Sequence, residues 1–375
     1  MTRMVVAALA VALPCPALAC SLCGGPGTGA TMRQDVLQAK IVVVGTLKNA
    51  RLDSNSPGGN GLTDFKIETI LKGEAALKGI SQITIPRYLP SDEKSPKFLL
   101  RCDVINGKLD PYAGVPVKDE KVVGYLKQVM ALDENDRGKM LRFFFEHLDS
   151  AVPEIAADAY NEFAKAGDAE VGEFARQVQP DRLRAMLKNP ALPPERMRLA
   201  AFLLGGCGGA KDADLLLSLL KTDSEQTRGA LGGLLAGYIV LKPKDGWKLA
   251  GDIVADRKRE FLDRYAVLST LRFFHGWKPN DNGEVIRFVL KLAVADGSLA
   301  DVAIEDLRRW GWWELTDAVL GSFKLKSHDV PMVRRAIARY AVSCPQDKAK
   351  QFIAELKQRD PELVKDALES LELDK

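Results

Sequence analysis

Two cysteines separated by two residues, Cys20 and Cys23, have the spacing of a chemically active pair. Such a pair can be a redox centre, half of a zinc site or a structural disulfide. A redox pair is expected at a helix N-terminus, but the Gly-rich residues 24–27 precede the first predicted helix. A closed zinc site needs four ligands, and Cys102 is the one further thiol in the same predicted domain. Disulfide formation or lipid attachment is therefore the favoured chemistry.

The segment before these cysteines has the pattern of an export signal. Arg3 is followed by an apolar run over residues 4–13, and Ala17-Leu18-Ala19 places small residues at positions −3 and −1. We therefore expect residues 1–19 to be a signal peptide cleaved after Ala19, which makes the protein periplasmic or extracellular. A lipoprotein anchored to the membrane through Cys20 is the alternative.

The cysteine count bears on the pairing. Six cysteines occur, at positions 15, 20, 23, 102, 207 and 344. Because Cys15 would leave with the signal peptide, an odd number stays in the mature chain. We favour a disulfide from Cys20 or Cys23 to Cys102, since these three lie in one predicted domain and an exported protein meets oxidising conditions. The two later cysteines lie in apolar helical surroundings and are expected to be buried free thiols.

The sequence Trp310-Gly311-Trp312-Trp313 is a local aromatic cluster. Tryptophan is enriched at binding hot spots, so Trp310, Trp312 and Trp313 are candidates for a binding surface. A loop between helices can equally bury such side chains against its neighbours, and we take packing as the first interpretation and binding as the second. No catalytic residue, metal site or cofactor site is predicted, because the three histidines are dispersed and no hydrolase, metalloprotease, Walker or Rossmann motif occurs.

The elements that must position these residues fall into two regions. Residues 20–118 carry short runs of β-branched residues, at 41–47, 65–70, 80–85 and 98–104, that predict strands separated by turn residues. Thr31 can cap a short helix before the first of them. We therefore predict a small OB-like β-barrel in residues 20–118.

From residue 119 to residue 375 the apolar residues recur with the period of helices. Short amphipathic segments alternate with loops rich in Pro, Gly and Asp, and a turn followed by a helix start recurs near Pro153, Pro194 and Pro331. This pattern predicts an irregular α-solenoid of HEAT or armadillo type, whose repeats bury a core by stacking and leave one curved face free for a partner. The predicted fold class is thus multidomain, α and β.

Composition excludes some partners. The chain has 375 residues, with 53 Lys and Arg against 50 Asp and Glu, a net charge of +3. This balance gives no electrostatic reason for binding nucleic acid. Beyond the signal peptide no apolar run reaches the ~20 residues that a membrane span needs, so membrane association is expected only if Cys20 is lipidated.

Two resemblances follow from the motifs. Residues 39–47 together with Phe65-x-Ile67-Glu68-x2-Leu71-Lys72-Gly73 are similar to secreted OB-fold modules of the netrin and metalloproteinase-inhibitor type. Those modules also begin at a cysteine exposed by signal cleavage. The resemblance implies an alternative function, inhibition of an extracellular metalloprotease through the mature N-terminal Cys20.

The whole chain resembles a family of secreted planctomycete proteins with a β-domain followed by helical repeats. The motifs that carry this resemblance are Ala-Cys-x-x-Cys at the end of the signal, Leu204-Gly-Gly-Cys207-Gly208, Leu271-Arg272-Phe273-Phe274, Asp306-Leu307-x-Arg309-Trp310 and Cys344-Pro345. It implies architecture and compartment but no activity. We therefore expect an exported binding or scaffold protein that is not an enzyme and that uses its helical repeats to bind a protein or a cell-envelope component.

Overall fold

A computed structural model describes residues 20–23, 30–53, 61–92 and 95–374. These residues form a five-stranded antiparallel sheet and seventeen α-helices, so the mixed α and β fold with a helical C-terminal part is confirmed. The predicted signal peptide, residues 24–27 and most of the loop predicted after residue 53 lie outside the described residues.

The bounds of the elements are as follows. The strands are β1 (Ile41–Arg51), β2 (Leu62–Lys72), β3 (Gln82–Ile85), β4 (Lys97–Ile105) and β5 (Lys108–Val117). The first six helices are α1 (Met32–Gln38), α2 (Lys121–Met130), α3 (Arg137–Phe145), α4 (Pro153–Ala164), α5 (Asp168–Phe174) and α6 (Pro180–Leu187). The others are α7 (Pro194–Cys207), α8 (Ala210–Lys221), α9 (Glu225–Leu241), α10 (Pro243–Ala255), α11 (Phe261–Trp277), α12 (Gly283–Val294), α13 (Ala300–Trp310), α14 (Thr316–Ser322), α15 (Pro331–Ser343), α16 (Asp347–Arg359) and α17 (Pro361–Leu373).

The chain forms two compact units whose bounds differ from the predicted domains. One unit covers residues 27–165, so α2, α3 and α4 belong with the sheet rather than with the later helices. The other covers residues 166–375 and also includes the described N-terminal residues 20–23. We call them the sheet unit and the helical unit. The N-terminal cysteines therefore belong to the helical unit, although the sequence placed them in the β-domain.

In the sheet unit the strand order is β3-β2-β1-β4-β5, with β1 at the centre. The β-branched residues of β1 explain its position, since both faces of its first half are buried. Ile41 pairs with Cys102 of β4, and both belong to a core cluster that also holds Phe65 of β2. The four predicted strands correspond to β1–β4.

Strand β5 was not predicted from the sequence. Its residues include Pro111, Gly114 and Pro116, which weaken a strand pattern, but β5 is an edge strand in the sheet order, where proline is tolerated. Asn106 and Gly107 join β4 to β5 with φ values of 51° and 76°. Both residues favour the left-handed region that a tight hairpin turn requires.

Helix α1 is held to α4 by two carboxylates one helical turn apart. Thr31 caps α1 and donates from its hydroxyl to Glu162. The backbone N–H of Met32 donates to Asp158 at 2.6 Å, and the Tyr125 hydroxyl donates to the same carboxylate at 2.9 Å. Carboxylates at a helix N-terminus satisfy its free N–H groups and interact favourably with its dipole, so these contacts fix the segment that leads into β1.

In the helical unit the helices pack in two alternating sets. Helix α9 contacts α7 and α11, and α15 contacts α13 and α17. In the second set α12 contacts α10 and α14, and α14 contacts α16. Consecutive helices of the two sets also contact each other, as α8 with α9, α10 with α11 and α12 with α13. The helices of each set thus follow one another in chain order.

Candidate functional site

The tryptophan-rich turn follows α13 and spreads its side chains in two directions. Gly311 adopts φ 67° and ends the helix, with its N–H donating to the Arg308 carbonyl at 3.1 Å. The Trp312 N–H donates to the Leu307 carbonyl at 2.9 Å. This is the hydrogen-bond pattern of a glycine-terminated helix, and it brings Trp312 back beside Trp310 at the end of α13.

Trp310 and Trp312 form a cluster with a histidine. The His275 ring at the end of α11 stacks on Trp310 with a centroid distance of 4.0 Å and an interplanar angle of 9°. Trp312 lies edge-on to both, 5.2 Å from His275 and 5.0 Å from Trp310. All three side chains are half-buried. We call His275, Trp310 and Trp312 the aromatic cluster.

A charged pair borders the aromatic cluster. The Arg287 guanidinium of α12 lies over the Trp312 ring at 5.1 Å and is 3.4 Å from the Glu314 carboxylate. Burial lowers the pKa of His275, which favours the neutral form of its ring. The site therefore combines a neutral aromatic surface with one cation that is already oriented by a ring and by a carboxylate.

An ion pair between a half-buried arginine and a buried aspartate connects the same two helices one turn before the aromatic cluster. The Arg272 Nε of α11 is 2.9 Å from both carboxylate oxygens of Asp306 in α13. Arg272 is three residues before His275, and Asp306 is four residues before Trp310, so each pair shares a helix face. Burial raises the pKa of Asp306, and Arg272 opposes that shift. This ion pair sets the spacing of α11 and α13 where the rings stack.

Trp313 does not join the cluster. Its ring lies edge-on to the fully buried Tyr340 of α15 at 5.0 Å. Its carbonyl accepts hydrogen bonds from the Thr316 hydroxyl at 2.6 Å and from Gln346 at 3.0 Å. All three tryptophans are half-buried, and they differ in their neighbours: Trp313 contacts α15, whereas Trp310 and Trp312 contact His275.

Cys20 and Cys23 lie in a turn that is buried in the helical unit. The N–H and the hydroxyl of Ser21 both donate to the Asp168 carboxylate of α5, each at 2.7 Å. Arg198 of α7 donates to the Leu22 carbonyl at 3.3 Å. The exposed fractions of Cys20, Leu22 and Cys23 are 1%, 1% and 3%. The segment therefore acts as a core element of the helical unit.

Cys102 belongs to the other unit. It is a buried free thiol in β4, and burial, with Asp110 and Asp103 nearby, raises its pKa to about 12. The predicted disulfide from Cys20 or Cys23 to Cys102 assumed that the three cysteines share one unit. That premise is wrong, because the N-terminal turn docks on α5 and α7. Asp168 holds the turn in the helical unit, and no sequence motif indicated this role.

Asp168 gives a testable pH dependence. Burial raises its pKa from 3.8 to about 6, although the hydrogen bonds from Ser21 oppose the shift. The folded state therefore binds this proton more tightly than the unfolded state, so the stabilisation is complete below about pH 4 and is lost as the pH rises through about 6. From pH 7 to pH 4 the free energy of unfolding of the wild type should rise by about 2 kcal/mol relative to Asp168→Asn. Urea unfolding of both proteins measures this, and a difference that does not vary with pH would contradict it.

A cavity of about 320 Å³ in the sheet unit also contains titratable groups. Asp158, Glu154 and Lys118 are among the residues that line it. Burial raises the pKa of Asp158 to about 6, but its carboxylate already accepts hydrogen bonds from Met32 and Tyr125. Lys118 lies 3.6 Å from Glu154. Asp158, Glu154 and Lys118 thus each have a structural partner, so hydrogen bonds and ion pairing explain why these groups line the cavity.

Across residues 20–23, 30–53, 61–92 and 95–374, no three or more His, Cys, Asp or Glu side chains are grouped so that they could hold a metal ion. Within the same residues no helix has the length and apolar character to cross a membrane.

Comparison with known proteins found no match to a family model, to a curated protein or to a solved structure. The residues that sequence reasoning missed at the aromatic cluster are Arg272, Arg287, Asp306 and Glu314. For two of them the sequence held an indication: Arg272 precedes His275 by three residues and Asp306 precedes Trp310 by four. In a helix these spacings place each charged residue on the same face as the aromatic one. Their partnership could not be inferred, because it depends on the packing of α11 against α13.

Proposed function

We propose that this chain is an exported, non-enzymatic binding protein or scaffold that recognises a protein partner through its helical unit. The observation that carries the proposal is the aromatic cluster, half-exposed at the ends of α11 and α13 and bordered by Arg287. Tryptophan and arginine are the side chains most enriched at the centres of protein interfaces.

The proposal is supported by the contacts that keep the side chains of the aromatic cluster ordered. His275 stacks flat on Trp310, Gly311 fixes the turn, and Arg287 is oriented by Glu314. Side chains that are already ordered lose little conformational entropy when a partner binds, so more of the contact energy contributes to affinity. A protein partner whose surface offers an apolar side chain to the rings and a carboxylate to Arg287 fits this chemistry.

The helical arrangement is consistent with a repeat array. We propose that the helical unit is an irregular solenoid of HEAT type. In each helical hairpin, one helix belongs to the first of the two sets and the other helix belongs to the second. The helices of one set begin at residues 225, 261, 300, 331 and 361, and this spacing is in or near the range of helical-hairpin repeats. Such arrays offer extended surfaces for binding proteins.

For the sheet unit we propose an OB-like barrel. The strand order β3-β2-β1-β4-β5 follows that of an OB fold, and the two edge strands β3 and β5 contact each other. Export after cleavage at Ala19, lipid attachment at Cys20 as its alternative, and the resemblance to secreted planctomycete proteins are part of the same proposal.

The partner can be identified by cross-linking. A photoreactive residue replaces the exposed Arg309 beside the aromatic cluster, and a matched control carries it at Arg359 of α16, whose side chain is 79% exposed. Both proteins are exported and irradiated in the native host. We expect one protein to cross-link from position 309 and not from position 359. Equal cross-linking from both positions, or none from position 309, would contradict the proposal.

No observation favours the alternative function, inhibition of a metalloprotease. That function requires the thiol and amine of Cys20 to reach a metal ion in the protease. Cys20 is 1% exposed, and the next residue is bound to Asp168 through both its N–H and its hydroxyl. The first residues of the predicted mature chain are thus sequestered in the helical unit.

A further inference from the structure

The two N-terminal cysteines lie at the ends of one tight turn. The Cys23 N–H donates to the Cys20 carbonyl at 3.0 Å, which closes a β-turn over residues 20–23. In such a turn the first and fourth Cα atoms lie within about 7 Å, and disulfides span Cα separations of about 4.4–6.8 Å. The Cys23 thiol lies within hydrogen-bond reach of the Cys20 thiol. The turn therefore brings both sulfur atoms together.

We propose that Cys20 and Cys23 form a disulfide with each other in the exported protein, and that Cys102 stays a thiol. The inference rests on the proposed export, because the oxidising compartment supplies the reaction, but it does not depend on the aromatic cluster. In the reaction each thiol loses a proton and the pair loses two electrons as the S–S bond forms. The oxidant is a protein disulfide of the thiol-oxidase class, which is reduced to a dithiol.

The surroundings of the turn bear on when the disulfide forms and on how well it is protected afterwards. Burial, the adjacent Cys20 thiol and the nearby Asp168 carboxylate all raise the pKa of Cys23, so a thiolate is disfavoured once the turn has docked. Oxidation therefore precedes docking on α5 and α7. After docking, the bond is shielded from reductants because both cysteines are almost fully buried. The bonds from Ser21 to Asp168 and from Arg198 to Leu22 then hold the closed turn in place.

The experiment is a disulfide map of the wild-type protein purified from an exporting host. The protein is denatured with an alkylating reagent and no reductant, then digested with trypsin, which cuts between the two regions at Arg33 and Arg101. We expect the peptide that contains Cys20 and Cys23 to be two hydrogens lighter than its dithiol and to take up two alkyl groups only after reduction. The Cys102 peptide should be alkylated before reduction.

Three results would overturn the inference: a cross-link between the N-terminal peptide and the Cys102 peptide, alkylation of both Cys20 and Cys23 without reduction, or a lipid on Cys20. A Cys102→Ser variant is the matched control. Its map of the N-terminal peptide should equal that of the wild type, and free alkylation of Cys20 and Cys23 in that variant would show that Cys102 is their partner.

Discussion

Replacing Arg272 with Met is expected to lower the free energy of unfolding by about 3–5 kcal/mol. The substitution leaves the Asp306 carboxyl buried in α13 without its main cation, so it must stay charged or take up a proton at pH 7; both of its oxygens lie 2.9 Å from the Arg272 Nε. An uncompensated buried charge is among the most destabilising changes a single substitution can make. Denaturant unfolding at pH 7 measures the loss.

The matched control is the double variant Arg272→Met, Asp306→Leu. Replacing a buried ion pair with apolar side chains of similar size is often close to neutral. We therefore expect the second substitution to recover most of the stability that the first removes. If Arg272→Met were as stable as the wild type, or if the double variant were less stable than the single one, the ion pair would not hold α11 against α13 as described.

Replacing Gly233 with Ala is expected to lower the free energy of unfolding by about 3 kcal/mol. Helix α9 crosses α7 so closely that a Cβ at this position would lie 1.9 Å from the Arg198 carbonyl oxygen. Relief requires the two helices to separate, and Arg198 also holds the Leu22 carbonyl of the N-terminal turn. Thermal unfolding of the variant measures the effect.

Gly321→Ala is the control for this prediction. Gly321 lies in α14, and no atom outside its immediate neighbours lies within 4 Å of its Cβ position. Alanine is favoured over glycine within a helix, so this variant should be as stable as the wild type or more stable by up to about 1 kcal/mol. If the two variants lost similar amounts of unfolding free energy, the close packing of α7 and α9 would not be the cause of the loss at Gly233.

Much of the fold was predictable because the periodicity of apolar residues reflects local rules. Strands β1 to β4 and amphipathic helices such as α2 and α12 follow the expected spacing. Helix α9 gives no such signal, because it is buried along most of its length and carries four glycines. A helix without a polar face lacks the amphipathic signal, and its glycines reflect the close approach of α7.

The candidate site was predictable only in part. The tryptophans were visible in the sequence, but their different neighbours, His275 for Trp310 and Trp312 and Tyr340 for Trp313, depend on tertiary packing. The assignment of Cys20, Cys23 and Cys102 to one unit failed because proximity along the chain was taken as proximity in space. Asp168 lies 148 residues after Cys20 and has no motif that links them. Contacts of this kind arise from tertiary packing, which a local pattern does not encode.

The most direct test of the central claim is the affinity of the cross-linked partner for three proteins: the wild type, Trp312→Ala and Phe288→Ala. Phe288 is a matched control, since it is 59% exposed on α12 and lies outside the aromatic cluster. We expect Trp312→Ala to raise Kd by about 30-fold, which corresponds to a loss of about 2 kcal/mol at a hot spot, and Phe288→Ala to leave Kd unchanged. Equal affinity of all three proteins would contradict binding through the aromatic cluster.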